Sequence, residues 1–307
     1  MGILRLATRG SPLALRQTEL VAELLRRAHP TLVVEPLVLR TRGDREDTVP
    51  LDVIGGQGVF VTEVEAAVAE GRADAAVHSA KDMPSVMPPH LVLGAVPPRA
   101  DPRDGLVGCT LAGLPAGALV ATGSARRRVQ LAALRPDLVF TDLRGNMARR
   151  LSVVEEGAAS AVVVAVAAMQ RLGWEDRLAD VLDPVDVLPQ AGQGAVAVQC
   201  RADDGGTRRT LAAVDHEPSH RSLRAERAVL AALGGSCTVP VGAFAEAEAG
   251  GPGLRISGLL AGGDAHIVLR ATRRGDDPER VGEEVARALL EGGGAAVEGF
   301  APLEAAP

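Results

Sequence analysis

The chain has 307 residues, 47% of them apolar and only 2% aromatic, with a formal net charge of −6. That length allows two or three domains, with cores built from Leu, Val and Ala. The acidic balance argues against a general nucleic-acid binder, which needs a basic surface to displace counterions from phosphates. The three cysteines, Cys109, Cys200 and Cys237, lie far apart, with no CxxC and no histidine at ligand spacing. Neither a zinc site nor a secreted disulfide framework is supported, and no metal is expected. The opening MGILRLATRGSPLAL lacks a signal-peptide core, and AVVVAVAAM (161–169) is about half the ~20 residues that span a bilayer. The expected location is the cytoplasm, with no membrane partner.

In chain order, ILRLATR (3–9) predicts a short buried strand. The stretch from Ser11 to Pro30 predicts a helix, with Ser11 as N-cap, Pro12 at the first helical position and apolar residues at helical spacing. LVVEPLVLR (32–40) predicts a strand that Pro36 confines to an edge or bulge. Residues 41–58 form a long polar, glycine-rich loop, followed by a helix over 60–71 and a strand over 73–79. PPRADPRDG (97–105) predicts a crossover between domains. Beyond it come a strand (118–122), a helix capped by Ser124, a strand (138–143), a helix (146–157), a strand (161–166) and a returning strand within 189–201. This alternation predicts an α/β architecture with largely parallel sheets. After residue 205 the pattern changes to a helix (222–235), three alternating strands and a closing helix (277–293), a separate small α+β domain.

Arginines recur where strands end and helices begin: Arg9, Arg126, Arg127, Arg128, Arg144, Arg149 and Arg150. A cation at a helix N-terminus opposes the macrodipole, so its repetition needs a reason. In an open α/β sheet ligands gather at the carboxyl ends of strands. Guanidinium forks suit carboxylates and phosphates, so the set points to a polyanionic ligand, although any single arginine reads more readily as surface charge. VHSAKDMPS (77–85) places His78, Lys81 and Asp82 on a strand-end loop; a Lys–Asp neighbour pair is more often an ordinary surface ion pair, but in a cleft Asp82 is the carboxylate to stabilise a cation or move a proton. The glycine loops GGQG (55–58) and AGQGA (191–195) match no nucleotide fingerprint and read as flexible turns. Cys237, in GGSCTVPVG after a helix, reads either as a half-buried small residue or as a thiol that carries something covalently.

These stretches occur in the order ATRGSPLAL, TRGD, GGQGVFVTEVE, RADAAVHSAKDMP, DPRDGLV, TGSARRRVQL, LRGN, RLG, AGQGAVAVQCR, AERAVL and GGSCTVPVG. In that order the chain resembles the porphobilinogen deaminase (hydroxymethylbilane synthase) family over essentially its whole length. The resemblance implies an α/β fold of two lobes like those of type II periplasmic binding proteins, plus a small α+β C-terminal domain. The implied boundaries are 1–96 with 190–212 for domain 1, 97–189 for domain 2 and 213–307 for domain 3. It also implies a dipyrromethane cofactor joined to Cys237 by a thioether, and a monomer acting on porphobilinogen. The implied reaction condenses four porphobilinogens head to tail with loss of ammonia, after which water releases linear hydroxymethylbilane.

By position, Lys81, Ser124, Arg126, Arg127 and Arg150 match family residues that hold the cofactor. Arg9, Ser11, Arg144 and Arg171 match those that hold substrate or the growing chain. Asp82 matches the catalytic aspartate, contacting pyrrole N–H groups and stabilising the cation formed when ammonia leaves. Val53 and Gln57 stand where some members have lysines, Ser236 where a glycine is common, and Gln199 where an acid is common. The alternative is a non-catalytic polycarboxylate-binding protein of the same two-lobed architecture, which would not need Cys237 or an aspartate beside Lys81.

Overall fold

The computed structural model describes residues 2–41, 61–234, 239–248, 250–251, 253–262 and 267–297. Cys237, Ser236, Val53, Gln57 and nearly all of the 41–58 loop lie outside the described residues. The chain divides into two compact units, Met1–Ala100 with Gly194–Arg221, and Asp101–Gln193 with Ser222–Pro307.

In chain order the first unit begins with β1 (Ile3–Arg9), α1 (Pro12–Ala28), β2 (Val33–Leu39), α2 (Thr62–Ala69), β3 (Ala75–Ser79) and β4 (Leu91–Ala95). The second unit follows with β5 (Asp104–Val107), β6 (Leu119–Ala121), α3 (Ala125–Leu134), β7 (Val139–Thr141), α4 (Met147–Glu155), β8 (Ala161–Ala165), α5 (Val166–Leu172) and β9 (Leu178–Val181). The chain returns to the first unit for β10 (Val196–Arg201) and α6 (Gly205–Ala212). Then come α7 (Glu217–Ala232), β11 (Val241–Ala247), β12 (Leu254–Ala261), β13 (Val268–Gly275) and α8 (Pro278–Glu291).

The sheet of the first unit has the order β2-β1-β3-β10-β4, and the larger sheet of the second has the order β7-β6-β8-β5-β9. The two orders are the same topology. In each, a first strand pairs in parallel with its second and third, and an inserted strand lies antiparallel between the third and fourth. The sheets are therefore mixed rather than largely parallel. The inserted strands β5 and β10 each follow directly on a strand of the other unit rather than on a βαβ crossover within their own sheet, so nothing imposes parallel pairing on them.

Helix α1 forms as its sequence predicts: Ser11 Oγ accepts from the Ala14 N–H at 3.3 Å, and Val21, Ala22 and Leu25 face the core. Pro36 lies in the edge strand β2, where its missing N–H costs no ladder bond. Leu4, Leu6, Leu25, Val77 and Val198 pack on one face of the first sheet, and Ala7, Val64 and Val68 on the other. In the second lobe, Leu106, Val120, Leu131 and Val163 fill one face and Val107, Leu151, Val162 and Met169 the other. A three-stranded antiparallel sheet, β11-β12-β13, packs with α7 and α8 through Val229, Ile256, Leu260, Val285 and Leu289.

Elements β4, β9, α5 and α6 are not among the predicted elements, although Asp204 caps α6 and Gly173, at φ +68°, ends α5. Strand β4 is interrupted by Gly94, where a Cβ would lie 2.6 Å from Leu211 Cδ1 and 2.9 Å from Cys200 Sγ. The glycine is there for packing against α6 and β10, which hides the strand pattern. Helix α7 begins at Glu217, five residues earlier than its apolar periodicity suggests, because its first turn is polar.

Candidate active site

In the first unit the predicted residues cluster at strand ends. Arg9 closes β1, and Ser11 caps α1 two residues later. Lys81 and Asp82 belong to one 3-10 turn, Ala80–Asp82, immediately after β3. The turn is fixed from both sides: the Ala80 N–H donates to the Ala195 carbonyl at 3.1 Å, and the Met83 N–H to the Ala80 carbonyl at 3.3 Å. Ala80 and Met83 are buried, while Lys81 is half-buried and Asp82 is exposed. Close by in the sheet runs a buried polar chain. His78 Nε2 lies 3.2 Å from Gln199 Oε1, and Gln199 Nε2 donates to Glu65 Oε1 at 2.8 Å. With the amide of Gln199 oriented by Glu65, His78 carries its proton on Nε2.

In the second unit, β6 ends in a turn that only glycine can make. A Cβ on Gly123 would lie 2.5 Å from the Leu143 carbonyl oxygen. Ser124 then caps α3, its Oγ accepting from the Arg127 N–H at 3.4 Å. Arg126 and Arg127, in the first turn of α3, are only 4% and 5% exposed. They converge on Asp104, the first residue of β5, which is fully buried. Asp104 Oδ2 accepts from Arg126 Nη2 at 2.7 Å. Its Oδ1 accepts from Arg127 Nη2 at 2.6 Å, Arg127 Nε at 3.0 Å and Gln193 Nε2 at 2.8 Å. Burial pushes the Asp104 carboxyl up, but the charges and hydrogen bonds of Arg126 and Arg127 together hold it well below the ordinary carboxylate range. Burial, with the like charge of Arg127 adding to it, lowers Arg126 against the pull of Asp104.

The remaining arginines divide. Arg128 pairs with Asp142 at 2.5 Å, and Arg149 pairs with Glu156 at 3.0 Å, both on the surface. Arg150 turns back, its Nε donating to the Gly145 carbonyl at 2.9 Å; Gly145 has φ +102°, which suits it to the turn before α4. Arg144 sits half-buried on the same turn. Arg171, half-buried in the last turn of α5, is pushed down to about 10 by burial. So Ser124, Arg126 and Arg127 come together on one helical turn, and Arg144 and Arg150 on a neighbouring turn and helix. Arg9 and Ser11 share one strand end of the first unit, and Lys81 and Asp82 another.

Three neighbours of the predicted residues escape sequence reasoning: Asp104, Gln193 and Glu226. The AGQGA segment is not a loose turn. The Gly192 N–H donates to Glu226 Oε2 at 2.6 Å, and Gln193, fully buried, donates to both Asp104 and the Pro102 carbonyl. The one signal available was an acid at the start of an apolar strand, DGLV, and nothing local said which cations would meet it.

Two α/β lobes of one strand order, basic side chains gathered at strand ends and a small α+β unit define a two-lobed α/β protein with an appended C-terminal module. The chain belongs to the porphobilinogen deaminase family. Residues 4–209 match the family model for the dipyrromethane cofactor binding domain, and residues 221–291 match that for the C-terminal domain. A porphobilinogen deaminase of Roseiflexus sp. (strain RS-1) is 47% identical over 297 residues, covering 95% of this chain and 97% of the relative. That of Syntrophobacter fumaroxidans (strain DSM 10017 / MPOB) is 42% identical over 296 residues, covering 95% of each.

Proposed function

We propose that this chain condenses four porphobilinogen molecules head to tail, releasing one ammonia at each addition, and that water then frees the linear tetrapyrrole hydroxymethylbilane. Membership of the family through both of its domains carries this conclusion. A non-catalytic binder of the same architecture is not favoured. The cofactor is dipyrromethane, held covalently by Cys237. When bound, it supplies the pyrrole end to which substrate units add.

The residues present fit a carboxylate-rich group. One buried aspartate against two buried guanidinia leaves a net positive charge, and Arg126 Nε is buried with no hydrogen-bond partner among the described residues. Lys81, Ser124, Arg126, Arg127 and Arg150 are the residues we assign to the cofactor. Arg9, Ser11, Arg144 and Arg171 are assigned to the acetate and propionate groups of substrate and growing chain. Arginine forks recognise such groups with fixed geometry. Asp82, exposed on a rigid turn, takes the catalytic role. Its carboxylate accepts from pyrrole N–H, opposes the positive charge that develops on the substrate as ammonia departs, and serves as a proton acceptor. We also propose three domains, 1–96 with 190–212, 97–189 and 213–307, acting as a cytoplasmic monomer that binds no nucleic acid.

The intact mass of the purified protein tests the reading. An excess equal to two condensed pyrroles, absent from Cys237→Ser, together with porphobilinogen consumption, is the expected result. Protein that consumes porphobilinogen without any adduct, or Cys237→Ser that keeps the adduct, contradicts it.

A further inference from the structure

The assigned cofactor residues Arg126 and Arg127 do not hold their own orientation. Each long guanidinium side chain carries about 2 kcal/mol of rotamer entropy, and a helix N-terminus disfavours both charges. What fixes them is a single carboxylate and two backbone carbonyls. Asp104 takes Arg127 side-on, through Nε and Nη2, and takes Arg126 through Nη2 on its other oxygen. Arg127 Nη1 donates to the Val163 carbonyl at 3.0 Å, and Arg126 Nη1 donates to the Leu188 carbonyl. Gln193 braces the carboxylate itself, and its own backbone neighbour Gly192 is tied to Glu226. Glu226 Oε1 also accepts from the Ala245 N–H in β11 at 2.8 Å, so strand β5, helix α3, the 190–193 segment and the small sheet meet through one polar chain. Gly242 in β11 keeps the approach close, since a Cβ there would lie 3.1 Å from the Pro189 carbonyl and 3.4 Å from Arg126 Cδ.

The composition of this chain of contacts is unusual for a purely structural ion pair. A buried pair that only stabilises a fold is charge-balanced, because each uncompensated buried ion costs several kcal/mol. At Asp104 one acid serves two bases. The other buried acid among the described residues, Glu226, accepts from the backbone N–H groups of Gly192 and Ala245, and a buried donor, Arg126 Nε, has no hydrogen-bond partner among the described residues. The surplus charge and donor are what a carboxylate-bearing ligand would complete.

We propose that Asp104, braced by Gln193, is a positioning residue that sets the forks of Arg126 and Arg127 toward the dipyrromethane carboxylates. The proposal rests on the assignment of those two arginines to the cofactor. Asp104 touches no reacting atom; it acts only through the arginines.

The test compares Arg126→Gln, Arg127→Gln, Asp104→Asn, Asp104→Asn/Arg126→Gln and Gln193→Leu as full-length chains. Two quantities are read on each: the melting temperature, and the rate at which cofactor-free protein gains the mass of the adduct when given preassembled hydroxymethylbilane. Asp104→Asn leaves two unopposed buried cations and melts well below wild type. The double variant restores the wild-type net charge of the cluster and recovers most of that melting temperature. It nevertheless loads at least tenfold more slowly than Arg126→Gln, because Arg127 has lost its side-on anchor. Equal loading by the double variant and Arg126→Gln overturns the proposal, since Asp104 then only balances charge. Gln193→Leu keeps every charge, and is expected to load several-fold slower with little change in melting; loading at the wild-type rate also overturns it. That variant decides the matter where Asp104→Asn does not fold. If Arg126→Gln and Arg127→Gln both load like wild type, the assignment of the arginines to the cofactor has failed instead.

Discussion

The two α/β lobes share a strand order and solve the same electrostatic problem in opposite ways. In each, the inserted antiparallel strand carries a fully buried polar side chain, Gln199 in β10 and Asp104 in β5. In the first lobe that group is a neutral amide bridging His78 and Glu65, and the acid we propose as catalytic, Asp82, is exposed on the turn after β3. In the second lobe the acid itself is buried and clamps two arginines. On the proposed assignment the same carboxylate chemistry serves as a reagent where water reaches it and as a fastener where water is excluded, because a Coulomb interaction grows severalfold as the effective dielectric falls. Topology places a carboxylate; burial decides what it is for.

The largest effect expected from breaking this contrast is on stability. Removing one partner of a buried charged network costs about 3–5 kcal/mol, whereas stranding partners of a neutral amide costs about 1–3 kcal/mol. Asp104→Leu is therefore expected to lower the urea midpoint far more than Gln199→Leu, and comparable losses would show that charge is not what distinguishes the lobes. The pH dependence follows from sign. Asp104 has a lower carboxyl pKa folded than unfolded, so the folded state binds fewer protons and the carboxylate's contribution is complete above the unfolded value of about 4. It is lost as the pH falls from there toward the folded pKa. Wild type should lose stability more steeply than Asp104→Asn below pH 4, measured by urea unfolding at stepped pH.

The next effect is on rate. Asp82→Asn keeps size and removes the charge and the proton acceptor. Loss of one well-placed electrostatic group costs about 10²–10³ in kcat. Because Asp82 is exposed, the melting temperature should stay close to wild type. Porphobilinogen consumption by cofactor-loaded variant protein measures this. A rate within a few-fold of wild type would leave Asp82 as a surface group and move the catalytic role elsewhere.

Much of this was legible in the sequence, for identifiable reasons. Helices α1 and α8 announced themselves through Ser11–Pro12 and Asp277–Pro278, because a cap and its helix are neighbours in the chain. Strand-end arginines and the Lys81–Asp82 pair were visible for the same reason. The Asp104 network was not. Asp104 meets Arg126 across 22 residues and Gln193 across 89, and residue spacing says nothing about which strand ends face each other. The returning strand β10 was legible, but β4 and β5 were equally hidden, since their partners β10, β8 and β9 all lie far along the chain. AGQGA looked loose because glycines at positive φ signal turns, while the burial of Gln193 between them depends on tertiary contacts.

A smaller effect sharpens the second-lobe side of the comparison. Gly123→Ala would force a methyl against the Leu143 carbonyl oxygen at 2.5 Å. Overpacking of this kind costs about 1–3 kcal/mol. The shift lies one residue before the Ser124 cap, so adduct loading should slow along with the fall in melting temperature. A drop in melting with unchanged loading would separate the turn from the arginines it carries.

The smallest effect tests whether placement, rather than charge alone, matters among the arginines. Arg149 and Arg150 are adjacent at the start of α4, and both oppose its dipole. Arg149 is exposed and runs along its own helix to Glu156, whereas Arg150 folds back onto the Gly145 carbonyl. A surface pair contributes about 0–1 kcal/mol, and removing a cation from a helix N-terminus returns a few tenths. The two nearly cancel for Arg149→Gln, so its melting temperature should move by no more than about 2 °C and its turnover should match wild type. Arg150→Gln, with the same change in net charge, should load cofactor poorly. If both variants lose loading equally, the requirement is for positive potential over the whole region. If only Arg150→Gln does, the fold has sorted two neighbouring arginines into one that meets ligand and one that serves the surface.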